Sequence, residues 1–237
     1  MHHVLMDQWS RGSSPLHARD ARAKILALLV FLIVLATTAP QAYSTLVIDA
    51  IVLAAAILIA RLPLGNLLLR AAVVLPFSIL FGAISWLMGD PVRGQGLVEK
   101  SYLSTVSVLI VVGTTPFAAL LQGMESLGAP RLLILLAQFV YRYLFVISEQ
   151  AQHMRIAAAS RQGARNQRHR RSRLHAASGA LAVLFARSYQ RAEGIHRAML
   201  ARGFSGRFST LEGRAFRLSD GLFTAAVAAF LIVVRVQ

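Results

Sequence analysis

Two short arginine motifs are the segments of this chain whose residue types and spacing could do chemistry. Ser160-Arg161-Gln162-Gly163 and Ala201-Arg202-Gly203 each place an arginine after small residues and before a glycine. A guanidinium can hold a carboxylate of another protein through two parallel hydrogen bonds, which lysine cannot reproduce. Either motif alone is also typical of a helix end, because glycine caps the last turn and arginine complements the helix dipole. Their repetition within one basic region favours a paired task, with one arginine for each of two similar partners.

The sequence shows no site for a nucleotide, a cofactor or a metal ion. The pattern G-x-x-x-x-G-K-[S/T] does not occur, so any ATP that drives this protein would bind to another polypeptide. Without cysteine, disulfides and cysteine-ligated zinc or iron–sulfur clusters are excluded. His2 and His3 could chelate a metal with the terminal amine, but we interpret them as part of an unstructured tail. Four further histidines follow no metal-ligand spacing: His153, His169, His175 and His196.

A cluster of arginines lies between the two motifs. Its members are Arg165, Arg168, Arg170, Arg171 and Arg173, accompanied by His169 and His175. Such a cluster could neutralise the phosphates of a nucleic acid. It lacks interleaved aromatic residues, however, and it lies between predicted membrane-associated helices. We therefore favour contacts with the anionic headgroups of membrane lipids over nucleic acid.

The composition indicates that the elements carrying these motifs belong to a membrane protein. Of the 237 residues 56% are hydrophobic and only 15% are charged, and the formal net charge is +15. The mean hydropathy is +0.59. A soluble domain of this size rarely combines these values. We predict an all-α fold, a polytopic membrane bundle of about five spans with a cytoplasmic or interfacial unit of coupling helices.

Apolar segments and charge give the predicted division of the chain. A cytoplasmic tail covers 1–24, and four membrane helices lie within 25–115. They are centred on the apolar segments 25–39, 46–60, 71–88 and 102–121, of which the last reaches past residue 115. Interfacial and cytoplasmic coupling helices cover 116–220, and a C-terminal membrane helix covers 221–237. From Ser148 to Asp220 there are 14 arginines and four acidic residues, which places this stretch in the cytoplasm.

The apolar segment 132–147 is the exception in this scheme. Counting it as a span would move all those arginines outside, and it carries Gln138 and Arg142 in its middle. We interpret it as the start of a long surface helix that reaches residue 160, because an intramembrane arginine is costly. The preceding segment 116–128 has the spacing of an amphipathic interfacial helix. A second cytoplasmic helix is expected over 179–200.

Four blocks of sequence resemble the transmembrane (T) component of energy-coupling-factor transporters, and most of all its cobalt-type permeases, the Q subunits of Cbi transporters. The blocks lie at 15–24, 114–117, 142–163 and 191–204. The last block, with Ala201-Arg202-Gly203, is the most specific. Members of the family commonly carry Leu-Asp-Pro before the first arginine. This chain departs from that pattern, since it has Arg19-Asp20-Ala21-Arg22.

The resemblance implies a non-catalytic subunit of an ATP-driven importer in the bacterial inner membrane. Its partners would be two ABC ATPase subunits, which bind ATP and Mg²⁺, and a substrate-capture membrane subunit, which binds cobalt. The ATPase-coupling residues it implies are Ser160, Arg161, Gly163, Ala201, Arg202 and Gly203, with Arg142, Glu149, Arg191 and Glu193 as secondary candidates. Nickel, biotin or another vitamin is the alternative cargo. A membrane scaffold whose basic loop binds anionic lipid or nucleic acid is the alternative of a different class.

Overall fold

The computed structural model describes residues 9, 12–39, 43–162, 170–204 and 218–236. All regular structure in these residues is helical, which confirms the predicted all-α fold class. The chain divides into two compact units: Met1–Ile134 with Arg214–Gln237 forms unit 1, and Leu135–Gly213 forms unit 2.

Seven α-helices belong to the described part of unit 1. They are α1 (Ala21–Thr37), α2 (Tyr43–Ala60), α3 (Leu64–Ala71), α4 (Leu75–Leu87), α5 (Pro91–Thr114), α6 (Phe117–Ser126) and α9 (Leu218–Val236), and a 3₁₀ turn (Ala72–Val74) joins α3 to α4. Two long helices carry unit 2: most of α7 (Arg131–Gln162), and α8 (Arg170–Ala201).

Helix α5 is the central element of unit 1. It packs against α1, α2 and α4, while α9 packs on α1. The core contains Phe31 and Leu35 of α1, Ile57 of α2 and Ile110 of α5, all of them buried. Two glycines allow α4 and α5 to cross closely, because a Cβ atom added at Gly94 would lie 2.6 Å from the carbonyl oxygen of Gly82. Unit 1 is therefore a bundle with an apolar centre.

Within the described residues, three helical segments are long and apolar enough to cross a membrane, judged by length and composition. They are Leu64–Leu87, Pro91–Thr114 and Arg131–Ser160, and two shorter apolar helical segments are Ser44–Ala60 and Leu218–Leu231. The third of the long segments contains the stretch 132–147 that we interpreted as a surface helix. The predicted long helix over 132–160 is thus present as α7, and its place relative to the bilayer stays a prediction.

The structure corrects the bounds of two predicted spans. The third begins at Leu64 rather than at residue 71, and the fourth covers Pro91–Thr114 rather than 102–121. The charges of Glu99 and Lys100 concealed the first half of α5 in the sequence. Its end lies before Pro116, which has no backbone N–H to continue the helix. The predicted helices over 116–128 and 179–200 are present as α6 and α8, and α8 begins earlier, at Arg170.

Part of the predicted N-terminal tail is folded into unit 1. Helix α1 begins at Ala21, four residues before the apolar segment, and the Asp20 carboxylate caps it by accepting a hydrogen bond of 2.8 Å from the backbone N–H of Arg22. Lys24, predicted as the last residue of a polar tail, is only 4% exposed. A buried lysine lowers the hydropathy of its window, so the sequence placed the start of the helix too late.

Candidate functional site

The second arginine motif closes helix α8 with a well-formed cap. The N–H of Phe204 donates to the carbonyl of Met199 (3.0 Å), and the N–H of Gly203 donates to that of Leu200 (3.0 Å). Gly203 has a φ of +74°, the left-handed conformation that this cap requires. The cap pairs carbonyls that the helix end would otherwise leave without a donor. Arg202 is therefore held on a defined backbone at the tip of a long helix.

The cap explains the glycine of the motif but not its arginine. Gly89 and Gly128 end α4 and α6 with the same left-handed conformation, at φ values of +90° and +99°. The residues before those two glycines are Met88 and Leu127, so the cap does not need arginine there. What distinguishes the motif is consequently the guanidinium that Arg202 presents.

The side chain of Arg202 is exposed. No ion pair or side-chain hydrogen bond joins it to any residue within the described ranges. A guanidinium offers five N–H donors in a planar fork, which matches a carboxylate in two parallel hydrogen bonds. The tip of α8 thus has the geometry to dock an acidic side chain from outside.

The first arginine motif ends α7 in a similar place. Ser160 is exposed and its hydroxyl donates to the carbonyl of Ile156 (3.1 Å), so the helix itself satisfies this hydroxyl. Arg161 is helical and precedes Gln162, the last residue of α7. The side chain of Arg161 and the whole of Gly163 lie outside the described residues, as do the side chains of the arginine cluster at 165–173. The predicted pairing of the two motifs stays a prediction.

The secondary candidates do not form one cluster in unit 2. The Arg142 guanidinium lies 5.8 Å from the ring centroid of Tyr143, its neighbour on α7, and Glu149 is exposed. Glu193 forms an ion pair with Arg197 one turn along α8, a common arrangement on a helix surface. These contacts are local to each helix.

Arg191 occupies a different setting, at an apolar groove between α7 and α8. The groove has a volume of about 470 Å³ and is lined by Phe139 and Tyr143 from α7 and by Ile195 and Met199 from α8. The groove also includes the exposed side chains Leu136, Val140 and Leu144, and further apolar side chains are exposed beyond it on both helices: Leu132, Leu133, Ile156, Leu181, Phe185 and Leu200. Apolar faces of this extent are typical of surfaces that bind a membrane or another protein.

In unit 1 a buried lysine joins two of the sequence blocks that carry the family resemblance. The ammonium of Lys24 donates to the carbonyl oxygen of Thr114 (2.9 Å) and to the hydroxyl of Thr115 (3.0 Å). Pro116 ends α5 at this point, so the Thr114 carbonyl needs a donor from elsewhere. The contact links the start of α1 to the end of α5, across 90 residues of sequence.

A second long-range contact ties the N-terminal block to helix α9. The Nη1 atom of Arg19 lies 3.7 Å from the carboxylate of the buried Asp220 and donates to the carbonyl of Ser219 (3.1 Å). The backbone N–H of Asp20 also points to Asp220, at 3.4 Å. Neither contact is local along the chain, so no sequence pattern points to a role for Lys24 or Asp220.

Asp49 is a further residue that the sequence analysis missed. It lies in α2, it is 1% exposed, and neither carboxylate oxygen has a hydrogen-bond partner among the described residues. Buried carboxylates are rare in membrane helices and are usually paired. A lone aspartate within the apolar segment 46–60 was the signal available in the sequence.

In the described ranges no three histidine or acidic side chains are grouped to hold a metal ion. His2, His3 and His169 lie outside those ranges.

Residues 12–211 match the family model of CbiQ, the cobalt transport protein. The chain belongs to the CbiQ family. Members are transmembrane subunits of transporters, so this is a membrane protein of the energy-coupling-factor type.

Curated relatives support this assignment over most of the chain. Cobalt transport protein CbiQ of Rhodobacter capsulatus is 31% identical over 175 residues, which is 73% of this chain and 70% of that protein. The energy-coupling factor transporter transmembrane protein EcfT of Acidaminococcus fermentans is 30% identical over 229 residues, covering 86% of this chain and 84% of that one. The EcfT of Bacillus selenitireducens is 26% identical over the same shares. The predicted resemblance is thereby confirmed.

Proposed function

We propose that this chain is the energy-coupling transmembrane subunit of an ATP-driven cobalt importer. In this proposal it transmits the motion of two ABC ATPase subunits to a separate capture subunit. The observation that carries the proposal is the exposed Arg202 guanidinium at the rigidly capped tip of α8, without an ion pair among the described residues. Arg161, at the end of α7, would serve the second ATPase in the same way.

The coupling mechanism follows from the shape of α8. A helix of 32 residues is about 48 Å long at a rise of 1.5 Å per residue, so a displacement at its tip reaches the rest of unit 2. An acidic side chain of the ATPase would hold Arg202, and closure of the ATPases on ATP would then move α8 as a unit. This is motion of the hinge or shear kind, driven by the ligand cycle of a partner. ATP and Mg²⁺ stay on the ATPases.

The capture subunit would bind the cargo and meet this chain through apolar surface. Exposed apolar side chains on α7 and α8, such as Leu136, Val140 and Phe185, supply such a surface. Cobalt is the proposed cargo because the family model and the R. capsulatus relative bear that description. Nickel, biotin or another vitamin would need only a different capture subunit. In this proposal the protein lies in a bacterial inner membrane, and the positive-inside rule supports a cytoplasmic N-terminus and cytoplasmic coupling helices.

Purification of the tagged chain from its native membrane in mild detergent, followed by mass spectrometry, tests this proposal. We expect two ABC ATPase chains and a small membrane protein that binds cobalt. A capture subunit that binds a vitamin would change the cargo and keep the coupling role. A chain that co-purifies with nucleic acid, and without ATPases, would contradict the proposal and favour the scaffold alternative.

A further inference from the structure

An apolar cavity of about 420 Å³ lies within unit 1, between α1, α2, α5 and α9. Its volume is in the range of pockets that bind small or amphiphilic molecules. None of the described residues that line it is acidic. Its walls include Leu28, Phe31, Val52, Leu53, Ile110 and Val227.

The cavity has a basic end. Arg19 and Lys24 both line it, next to Thr114. The side chain of Arg19 is 34% exposed, and among the described residues its polar contacts, with Ser219 and Asp220, use one nitrogen, Nη1. A guanidinium has five N–H donors, so Arg19 retains donors for an anion. By sequence, Arg19, Arg22 and Lys24 bring three positive charges to this segment, and the carboxylates of Asp20 and Asp220 bring two negative ones, so the formal charge of these five residues is +1.

The dimensions and the opening of the cavity fit the bilayer. On α1 it runs from Lys24 to Phe31, about 10 Å along the helix axis. One leaflet of the hydrocarbon core is about 15 Å thick, so the apolar part covers most of a leaflet. Ala55 and Ile59 line the cavity on the α2 side and are exposed. The cavity therefore opens sideways, towards the lipid that surrounds a membrane bundle.

We propose that this cavity binds one acyl chain of an anionic phospholipid, with the phosphate of the headgroup at Arg19. The apolar walls give the acyl chain little preference for the cavity over the surrounding bilayer, because lipid tails are equally apolar. The basic end therefore supplies the selectivity. Basic pockets between membrane helices bind anionic headgroups by this physics. Because the opening is lateral, the ligand comes from the membrane and not from the aqueous phase. The lipid would hold the N-terminal segment, α1, α2 and α9 together.

Photo-crosslinking of the full chain in nanodiscs tests this proposal. The probes are phosphatidylglycerol and phosphatidylcholine with a diazirine in one acyl chain, and the labelled residues are mapped by mass spectrometry. We expect labels on the cavity walls at Phe31, Val52 and Ile110, and about fivefold more from phosphatidylglycerol, as expected for one charge near the surface. Arg19→Gln should remove that preference.

A matched pair of variants on α2 separates the cavity from the outer surface. Ala56 lines the cavity, whereas Ala54 is exposed and does not line it. Ala56→Phe should lower cavity labelling severalfold, because the phenyl ring would occupy space that the acyl chain needs. Ala54→Phe should leave it unchanged.

Three results would overturn the proposal. They are labels spread evenly around the bundle, equal labelling by the two lipids, and no label on the cavity walls from either lipid. The map of the unsubstituted chain decides the matter even if Ala56→Phe fails to fold.

Discussion

Replacing Lys24 by methionine should destabilise unit 1 by removing the donor that satisfies the end of α5. The Lys24 ammonium makes hydrogen bonds of 2.9 and 3.0 Å to Thr114 and Thr115, at a site that is 4% exposed. Charge-assisted hydrogen bonds contribute about 1.5–3 kcal/mol each. Burying an ammonium group costs several kcal/mol, which offsets much of that gain.

Methionine removes both the hydrogen bonds and the cost of the buried charge. What remains is the Thr114 carbonyl without its donor, for which the penalty is about 1–3 kcal/mol. A change of about 2 kcal/mol corresponds to a fall of roughly 4–8 °C in the midpoint of thermal unfolding for a chain of this size. Thermal unfolding of the purified chain in detergent, followed by circular dichroism, measures it.

Lys100 offers a matched control for this prediction. It is the other lysine of the chain, it is half-buried, and it donates to the carbonyl oxygen of Thr38 at the end of α1. Lys100→Met removes the hydrogen bond to Thr38 from a more accessible site, so its effect should be less than half as large. A Lys24→Met protein as stable as the unsubstituted chain, or a larger loss from Lys100→Met, would refute the reasoning.

Three further predictions concern the backbone and the core. Gly203→Ala should destabilise α8 by about 1 kcal/mol, because alanine is strained at a φ of +74°. Gly194→Ala, within α8, should stabilise the helix by about 0.5–1 kcal/mol, because a Cβ atom there would meet nothing within 4 Å. Loss of helicity during thermal unfolding distinguishes the two variants. Asp49→Leu should stabilise the bundle by about 1–3 kcal/mol, since it replaces a buried carboxylate that has no hydrogen-bond partner among the described residues, and no gain in thermal midpoint would contradict this. Gly94→Ala should weaken the packing of α4 against α5, because the added Cβ atom would lie too close to the carbonyl oxygen of Gly82. An unchanged midpoint of thermal unfolding would show that the two helices can move apart freely.

Local patterns along the sequence predicted the parts of the fold that depend on neighbouring residues. The apolar segments gave the helices, and the glycine after Arg202 marked the end of α8, because a helix cap involves only a few consecutive residues. The predicted fourth span instead continued to residue 121, past Pro116, although α5 ends at Thr114. The predicted extent of α5 was wrong, because the first half of this helix carries charged residues and is helical without being apolar.

Contacts between distant residues could not be read from local patterns. The bonds from Lys24 to Thr114 and from Arg19 to Asp220 join segments about 90 and 200 residues apart, and no local signal pairs them. The ion pair between Glu193, a secondary site candidate, and Arg197 is different, because its spacing of four residues is visible in the sequence. The exposure of Arg202 also needed the structure, since a basic residue at a helix end can equally pack on its own helix.

The proposed coupling of ATP hydrolysis to uptake depends on Arg202 and Arg161. The most direct test is uptake of Co²⁺ into vesicles that hold the complete purified complex, measured together with ATP hydrolysis. The variant is Arg161→Ala with Arg202→Ala, and the control is Arg197→Ala, which removes an exposed arginine from the same turns of α8. We expect uptake to be lost in the double variant and retained in the control, with both proteins inserted in the membrane in equal amounts. Uptake by the double variant at the rate of the unsubstituted complex would contradict the account.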